Sequence, residues 1–172
     1  RDSSDNVVTG VAHNVVATIT PSASTSGTSI AVSTSNGIAT FSALSISGSV
    51  GGYSISFSVE GASSSDVASV SQDIQLTHGA AFALRMVTQP SAAVSGVTVS
   101  PVAVEVIDRR GNRVTTGFDS SRSVTLDRSN PVATIYGTKV VSASAGLATF
   151  GNFSFRDGAN QNLTLQFSAG PL

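Results

Sequence analysis

Residues 146–155 read Gly-Leu-Ala-Thr-Phe-Gly-Asn-Phe-Ser-Phe, and residues 37–46 read Gly-Ile-Ala-Thr-Phe-Ser-Ala-Leu-Ser-Ile, 109 positions earlier. Two flanking matches keep nearly the same spacing. Residues 2–9 match residues 108–115 at 106 positions, and three apolar residues beginning at Tyr53 match three beginning at Leu163 at 110 positions. A period near 110 residues is too long for a solenoid repeat and fits one independently folded domain. The sequence therefore predicts two similar modules in tandem.

The frame of this repeat divides the chain into a first module at residues 1–77, a linker at 78–81 and a second module at 82–172. In this frame the first module has no counterpart of residues 81–106, and the second has none of Val67–Thr77. We therefore expect both modules to be incomplete here and the sequence to be a window onto a longer polypeptide. The remaining strands would come from continuing chain or from a neighbouring subunit that pairs with an open sheet edge.

The composition favours a polar but weakly charged surface. Charged residues make up 11% of the chain, against roughly 25% in an average soluble domain, whereas Ser and Thr supply 48 of the 172 residues. The net charge of −1 without a basic stripe argues against a nucleic-acid partner held by phosphate contacts. The apolar residues form only short runs, which predicts no membrane span. The absence of cysteine excludes disulfides and thiolate metal sites within this sequence.

Short alternating runs of apolar residues predict antiparallel strands along the whole chain. Val102, Val104 and Val106 would share the buried face of a half-buried strand, with Ala103 and Glu105 on its exposed face. Similar alternation marks these further runs: Val124/Leu126, Leu163/Leu165/Phe167, Tyr53–Val59 and, more loosely, Val67–Leu76. No run keeps the three-four spacing of a helix for more than one turn, so the sequence predicts an all-β chain.

About seven strands in each module, facing one another across a shared core, predict tandem immunoglobulin-like β-sandwiches. The chain lacks the disulfide and the core Trp of antibody domains, since it contains no Cys and no Trp. Four core aromatics would take their place in the second module: Phe150, Phe153, Phe155 and Phe167. Burying one Phe contributes roughly 1.5–3 kcal/mol, so four of them can offset a missing covalent link.

Four segments of the second module follow one another in a defined order. They read Met-Val-Thr-Gln-Pro-Ser (86–91), Val-Ile-Asp-Arg-Arg-Gly-Asn-Arg-Val (106–114), Ser-Val-Thr-Leu (123–126) and Gly-Leu-Ala-Thr-Phe (146–150). This pattern resembles the bacterial immunoglobulin-like repeats of invasin- and intimin-type surface proteins. The likeness extends over residues 84–170 and less fully over residues 1–61, where Asp5 stands in place of the usual turn glycine. The resemblance implies an extracellular stalk or adhesin and implies no catalytic residues.

The histidines and a cluster of arginines are the first candidate site residues. His13 and His78 do not recur between the modules, which excludes a histidine site shared by the repeats and favours lone loop histidines. Arg109, Arg110 and Arg113 form a local basic patch that the first module lacks. A solvated loop is therefore favoured over a ligand site common to both modules.

Two oxygen-rich turns are candidate calcium sites, because calcium prefers six to eight oxygen ligands. They contain Asp2, Asp5 and Asn6 in the first module and Asp108 and Asn112 in the second. Too few carboxylates converge for a strong metal prediction. We expect instead that Asp108 and Asn112 form hydrogen bonds with the backbone of their own turn, and the sequence predicts no metal ion and no cofactor.

Two triplets match the acceptor pattern for N-glycosylation, Asn152-Phe-Ser and Asn162-Leu-Thr. If Phe153 points inward, strand alternation leaves Asn152 facing solvent, as modification requires. Coincidence in a chain rich in Ser and Thr explains the triplets equally well. Ser22–Ser29 and Ser63–Ser65 could similarly carry O-glycans or simply form polar loops.

These observations predict a structural or adhesive repeat segment of a long extracellular surface protein: a stalk, a filament component or an adhesin shaft. Its partners would be neighbouring repeats or other filament subunits, and we expect no enzymatic activity. A receptor- or carbohydrate-binding module is one alternative, although no Trp and only Tyr53 and Tyr136 are available for an aromatic binding face. An accessory domain of a secreted enzyme is the other. Flanking sequence with more repeats would favour the stalk, and an adjoining catalytic domain would favour the accessory module.

Overall fold

Antiparallel β-strand makes up nearly all the regular structure that is described in this chain. The computed structural model describes residues 1, 4, 6–21, 30–42, 44–62, 69–90, 92–129, 133–156 and 162–172. Among these residues the one helix is a single 3₁₀ turn at Phe118–Ser121, and none is long and apolar enough to cross a membrane. The chain divides into a first unit, Arg1–Thr77, and a second unit, His78–Leu172. The predicted all-β class is confirmed.

The described residues of the first unit form one four-stranded sheet. Its strands are β1 (Asn14–Thr20), β2 (Ile30–Ser33), β3 (Gly51–Val59) and β4 (Val70–Leu76). They lie in the order β2-β1-β3-β4, and each neighbouring pair is antiparallel. In this register Phe57 of β3 lies opposite Ala17 of β1 on one side and Val70 of β4 on the other.

One face of this sheet forms the core of the first unit. Ala17 and Ile19 of β1 and Tyr53 and Ile55 of β3 are buried on it. Partly buried residues complete the core: Phe41, Leu44, Ile46, Phe57, Ile74 and Leu76. The sequence pattern does not single out β1, because residues 15–17 (Val-Val-Ala) form a continuous apolar run instead of alternating with polar residues. Burial of β1 therefore follows from its central place in the sheet.

The described residues of the second unit form eight strands in three antiparallel sheets. The strands are β5 (Ala81–Thr88), β6 (Val102–Asp108), β7 (Ser123–Arg128), β8 (Thr134–Gly137), β9 (Val140–Ser142), β10 (Leu147–Phe150), β11 (Phe153–Arg156) and β12 (Leu165–Ser168). The sheet orders are β10-β6-β5, β12-β7-β9 and β11-β8.

Strands from all three sheets contribute side chains to a single core, which makes the second unit β-sandwich-like. Its buried residues include Val102 of β6, Leu126 of β7 and Ile135 of β8. The core aromatics Phe150, Phe153 and Phe155 are buried as predicted, whereas Phe167 is half-buried and packs against the others. All four aromatic side chains therefore belong to the core of the second unit, and Phe167 of β12 is the least buried of them.

Strand β6 is buried on both faces, so the prediction of a half-buried strand is wrong. Its three valines are at most 2% exposed, as predicted, but Ala103 and Glu105 are each only 8% exposed. The reason is that β6 is the central strand of its sheet and Arg85 of β5 lies opposite Glu105. The Arg85 Nε–H donates to the Glu105 carboxylate, so the arginine covers this face and pairs with the buried charge.

Residues 78–81, the predicted linker, fall in the second unit and are held there by side-chain hydrogen bonds. The Gly79 N–H donates to Oδ2 of Asp108 over 2.8 Å. The His78 ring bonds to the hydroxyl of Thr116 over 2.9 Å. The boundary between the two units lies between residues 77 and 78.

Candidate functional site

The same tight turn occurs in both units, at the positions where the sequence repeats. In the turns at residues 35–38 and 144–147, the first and last residues exchange two backbone hydrogen bonds, of 2.9 and 3.0 Å in each turn. The two central residues have φ angles of 49° and 76° in the first turn and of 45° and 75° in the second. Two successive positive φ angles between antiparallel residues define a type I′ turn.

The glycine of each turn is packed against a preceding loop. A Cβ atom on Gly37 would overlap the backbone carbonyl oxygen of Val8, and a Cβ atom on Gly146 would overlap that of Val114. Val8 and Val114 are 106 residues apart, which is the offset of the loops in the sequence repeat. Because φ is positive and no space is left for a side chain, both positions require glycine.

An aromatic pair also recurs in both units. The ring centroids of Phe41 and Phe57 are 5.1 Å apart with an interplanar angle of 53°. The rings of Phe150 and Phe167, at offsets of 109 and 110 residues, are 5.4 Å apart at 58°. Tilted pairs at this distance are favoured by the ring quadrupoles. The turn, the packed glycine and the aromatic pair therefore match between the units in both sequence position and geometry.

In the second unit, the carboxylate of Asp108 holds the loop that leads to Val114. Its Oδ1 accepts the N–H groups of Arg110 (2.8 Å) and Asn112 (2.9 Å). Its Oδ2 accepts the N–H of Gly79 (2.8 Å) and the side-chain amide of Asn112 (3.0 Å). The prediction of hydrogen bonds to the backbone of this turn is confirmed for Asp108, whereas the Asn112 side chain donates to the Asp108 carboxylate.

The protonation state of Asp108 follows from these contacts. Burial raises the pKa of the Asp108 carboxyl, but hydrogen bonds from Gly79, Asn112 and Arg110 outweigh burial and lower the pKa from 3.8 to about 2. A carboxylate offers about four acceptor positions, and four hydrogen bonds engage them here. Asp108 is therefore an ionised structural anchor whose oxygens are occupied by its own loop and by Gly79.

Both histidines lie outside the strands, as predicted. The Thr116 N–H donates to Nε2 of His78 over 3.2 Å, so Nε2 is an acceptor and the proton of the neutral ring lies on Nδ1. Nδ1–H then donates to the Gly79 carbonyl over 2.9 Å. His13 is exposed in the first unit, and its backbone N–H donates to the hydroxyl of Thr34 over 3.0 Å.

The three arginines of the predicted basic patch have different surroundings. The guanidinium carbon of Arg109 lies 4.6 Å from the ring centroid of Phe82, in a cation–π contact. Arg110 donates its backbone N–H to the Asp108 carboxylate. The side chain of Arg113 lies beside Gly146 of the second turn. Each arginine therefore contacts a different structural feature of the second unit.

Several candidate residues of the first unit lie outside the described residues. These are Asp2 and Asp5 of the first oxygen-rich turn and the serine-rich stretches 22–29 and 63–65. Asn6, from the same turn, is described and is exposed. In the part of the chain that the structure describes, no group of three or more His, Cys, Asp or Glu side chains is placed to hold a metal ion.

The asparagines of the two N-glycosylation triplets are both exposed. Asn152 directly precedes β11, and the next residue, Phe153, is buried, as the predicted strand alternation requires. The Asn152 carbonyl accepts the N–H of Thr138 over 2.8 Å, which fixes the backbone at this position. Asn162 lies shortly before β12. Both side chains are therefore accessible to solvent.

A cleft of about 330 Å³ lies next to the Asp108 loop. Its lining consists of residues 79–82, residues 108–110 and Leu172. The Asp108 carboxylate in this cleft is engaged by four hydrogen bonds, and Arg109 is stacked on Phe82. The charged groups of the cleft thus stabilise the loop and its neighbouring strand.

Sequence reasoning missed the structural roles of three residues: Gly79, Arg85 and Glu105. A signal was available for Glu105, because a single acidic residue within a run of valines requires a cationic partner if the strand is buried. No comparable signal identifies Arg85 or Gly79, since their partners are 20 and 29 residues away in the sequence.

The architecture described above places this chain among all-β proteins, with a second unit that is β-sandwich-like. No protein-family model matches the sequence, and no curated protein matches it significantly. The structure has distant likenesses among solved structures, and three of these are β-glucuronidases.

Apo β-glucuronidase 3 of Bacteroides uniformis is 14% identical, with a TM-score of 0.37 over 91% of this chain. Two structures of Parabacteroides merdae β-glucuronidase each have a TM-score of 0.34. One is 13% identical over 91% of this chain, and the other, with glycerol in its active site, is 15% identical over 70%. The chain spans between 16% and 20% of the length of these enzymes. Likenesses at these TM-scores carry no argument about this chain.

Proposed function

We propose that this chain is a segment of tandem immunoglobulin-like modules of a long extracellular surface protein, and that it acts as a stalk, filament component or adhesin shaft. The observation that carries the proposal is the repetition of one packing arrangement in both units. The type I′ turn, the glycine packed on a carbonyl and the aromatic pair recur at offsets of 106 to 110 residues. Repeating a whole domain extends a chain and displays its ends at a distance.

The contacts of the described charged residues support a structural role over a catalytic one. Asp108 anchors its own loop, Arg85 neutralises Glu105, and Arg122 pairs with Asp119 over 2.7 Å. These charged groups stabilise backbone and neighbouring side chains. The low charge and high Ser and Thr content also suit a long polar shaft, and the sequence resembles invasin- and intimin-type repeats. In this proposal the segment itself has no enzymatic activity.

Location on the cell surface tests the proposal. An antibody raised against residues 1–172 should label intact, unpermeabilised cells of the organism that produces the protein, and brief protease treatment of those cells should remove the label. A cytoplasmic protein stained in parallel controls for broken cells. Labelling that appears only after permeabilisation would contradict an extracellular role.

Mechanical pulling tests the role as a shaft. Because the chain contains no cysteine, one Cys added at each end can attach it between a surface and a bead. A load-bearing tandem should unfold in two separate steps, with extensions of about 250 Å and about 310 Å for the two units. Extension without resistance would contradict the shaft, and saturable binding on a glycan array would favour the carbohydrate-binding alternative.

A further inference from the structure

The two tyrosines of the chain lie in opposite environments. Tyr53 is 4% exposed in the core of the first unit, and its hydroxyl donates to the Ser49 carbonyl over 2.8 Å. Tyr136 of β8 is 46% exposed. Its hydroxyl has no hydrogen-bond partner within the part of the chain that the structure describes. Tyr136 is therefore the tyrosine that is available to contact a ligand.

Tyr136 lies on a polar face of the β8–β11 sheet. Ile135 is buried, so strand alternation directs Thr134 and Tyr136 away from the core. Ser154 is directly opposite Tyr136 in the strand register, and Arg156 is directly opposite Thr134. The Cβ atoms of such opposed residues are roughly 4.5–5.5 Å apart. The exposed ring is thus flanked by hydroxyl groups and one guanidinium.

The Arg156 guanidinium covers part of this ring. Its central carbon lies 5.0 Å from the Tyr136 ring centroid, in a cation–π contact. No hydrogen bond or ion pair engages the Arg156 side chain among the residues described. A cation–π contact leaves the five N–H donors of a guanidinium available, and their planar fork matches the oxygens of a carboxylate or a similar oxyanion. The face therefore presents an unneutralised cation beside an aromatic ring.

The other two arginine–aromatic pairs described in the second unit are less suited to an anion. The Arg122 guanidinium already donates to the Asp119 carboxylate over 2.7 Å. The Arg109–Phe82 pair lies in the cleft that contains the Asp108 carboxylate, whose negative charge repels an anion. The pair on the β8–β11 face has neither restriction among the described residues.

The charge of the second unit also favours an anionic partner. This unit has eight basic and five acidic residues, a net charge of +3, whereas the first unit has one basic and five acidic residues, a net charge of −4. A net positive charge raises the local concentration of anions and speeds their association. An anionic ligand is therefore attracted to the second unit and repelled by the first.

The elements of this face match a sugar residue better than a peptide. Sites that bind peptides use a sheet edge, an apolar groove or a cluster of arginines, and this site is one arginine on a sheet surface. The C–H groups of a sugar ring pack on the electron-rich face of an aromatic ring. An acidic group on the sugar pairs with a guanidinium, and its hydroxyls form hydrogen bonds with serine and threonine.

We propose that Tyr136 and Arg156 form a binding site for an anionic sugar residue of a polysaccharide. The carboxylate or sulfate of the sugar would pair with the Arg156 guanidinium, and its ring would pack against Tyr136. Its hydroxyls would form hydrogen bonds with Ser154 and Thr134. The site goes beyond the proposed function as a shaft and does not depend on it.

An NMR titration of the unmodified chain tests the site with two acidic probes, a galacturonate hexamer and a sulfated galactose hexamer. At least one of them should produce saturable shifts at the amides of Tyr136, Ser154 and Arg156, and comparing the two separates a carboxylate ligand from a sulfate ligand. The matched neutral probes are the fully methyl-esterified galacturonate hexamer and the unsulfated galactose hexamer. Each should bind at least about tenfold more weakly than its acidic form.

Variants of the two central residues locate the binding site. Arg156→Gln and Tyr136→Ala should each lower the affinity at least about tenfold, whereas Tyr136→Phe keeps the ring and should lower it less than about threefold. The matched control is Phe118→Ala, which removes another exposed ring in contact with an arginine and should leave the affinity unchanged. Arg156→Gln changes only an exposed side chain, so it tests the site even where Tyr136→Ala fails to fold.

Four results would overturn the proposal. They are the absence of saturable shifts at this face with either acidic hexamer, equal affinity for the acidic and neutral forms, binding that Arg156→Gln leaves unchanged, and tighter binding of a hexaglutamate peptide to the same amides. The last result would identify an acidic peptide as the occupant. None of them bears on the shaft, which the pulling experiment tests separately.

Discussion

Residues 37–41 and 146–150 have nearly the same sequence but different backbone structures. Leu147–Phe150 form β10 and pair with β6, and Phe150 is 0% exposed. Residues 39–41 form no strand, and Ile38 is 62% exposed, although the turn before it has the same geometry as its counterpart. The turn and the aromatic pair are common to both units, whereas the residues after the turn pair with a neighbouring strand only in the second unit, among the residues described.

This difference separates what the repeat encodes locally from what a partner strand supplies. The turn depends on two residues that tolerate positive φ and on a carbonyl against which glycine fits. A strand depends on hydrogen bonds and side chains from its neighbour. β6 provides them in the second unit, and no described strand pairs with residues 39–41 in the first.

The largest expected effect comes from truncating the central aromatic ring of each unit. Phe150→Ala should lower the free energy of unfolding of the second unit by about 3–5 kcal/mol, because it leaves a cavity in a fully buried site. Phe41→Ala should cost the first unit only about 1–2 kcal/mol, since its ring is half-buried. Urea titrations monitored by tyrosine fluorescence measure both losses. Tyr136 reports on the second unit in a Tyr53→Phe background, and Tyr53 reports on the first unit in a Tyr136→Phe background. Equal losses would contradict the difference in burial.

Substituting the packed glycines should affect the two units alike. Gly37→Ala and Gly146→Ala should each cost about 2–4 kcal/mol, because alanine meets both a positive φ and a backbone carbonyl. Gly10→Ala and Gly151→Ala are matched controls with open space and no positive φ, and should change stability by less than about 0.5 kcal/mol. A loss in one unit only, measured by urea unfolding, would show that the two turns are not equivalent.

Acid should weaken the second unit through Asp108. The folded pKa of about 2 lies below the ordinary value of 3.8, so the stabilisation is complete above the ordinary pKa and is lost as pH falls toward 2. We expect it to be about 2 kcal/mol. Asp108→Asn should therefore destabilise the second unit at pH 6 and differ less from wild type at pH 2. A difference that does not change with pH, in urea titrations at both values, would contradict the assigned role of the carboxylate.

The smallest expected effect concerns the first central residue of each turn. Ala145 has a φ of 45°, and Asn36 has a φ of 49°. Asparagine adopts a positive φ at a lower energetic cost than alanine, because its short polar side chain can form local hydrogen bonds. Ala145→Asn should therefore stabilise the second unit by about 0.5–1 kcal/mol, and Asn36→Ala should destabilise the first by a similar amount. Thermal unfolding of the paired variants checks the opposite signs. Shifts of the same sign would mean that the turns differ in conformation.

Sequence reasoning reached the strand content, the three buried aromatics and the Asp108 turn, because each depends on residues close in sequence or on simple alternation. It placed Glu105 on the exposed face of β6, because alternation alone does not reveal that Arg85 covers a central strand. It did not single out β1, because the apolar residues 15–17 do not alternate with polar ones. The anchoring of Gly79 by Asp108 depends on a contact between residues 29 positions apart, which no local pattern encodes.

Amide hydrogen exchange at four equivalent residues tests most directly the claim that a partner strand decides the structure of the repeated segment. The Val106 N–H donates to the Gly146 carbonyl, so ladder alternation directs the N–H groups of Ala148 and Phe150 toward β6. We expect these two amides to exchange at least about a hundredfold more slowly than those of Ala39 and Phe41. Equal protection at all four amides would contradict the account.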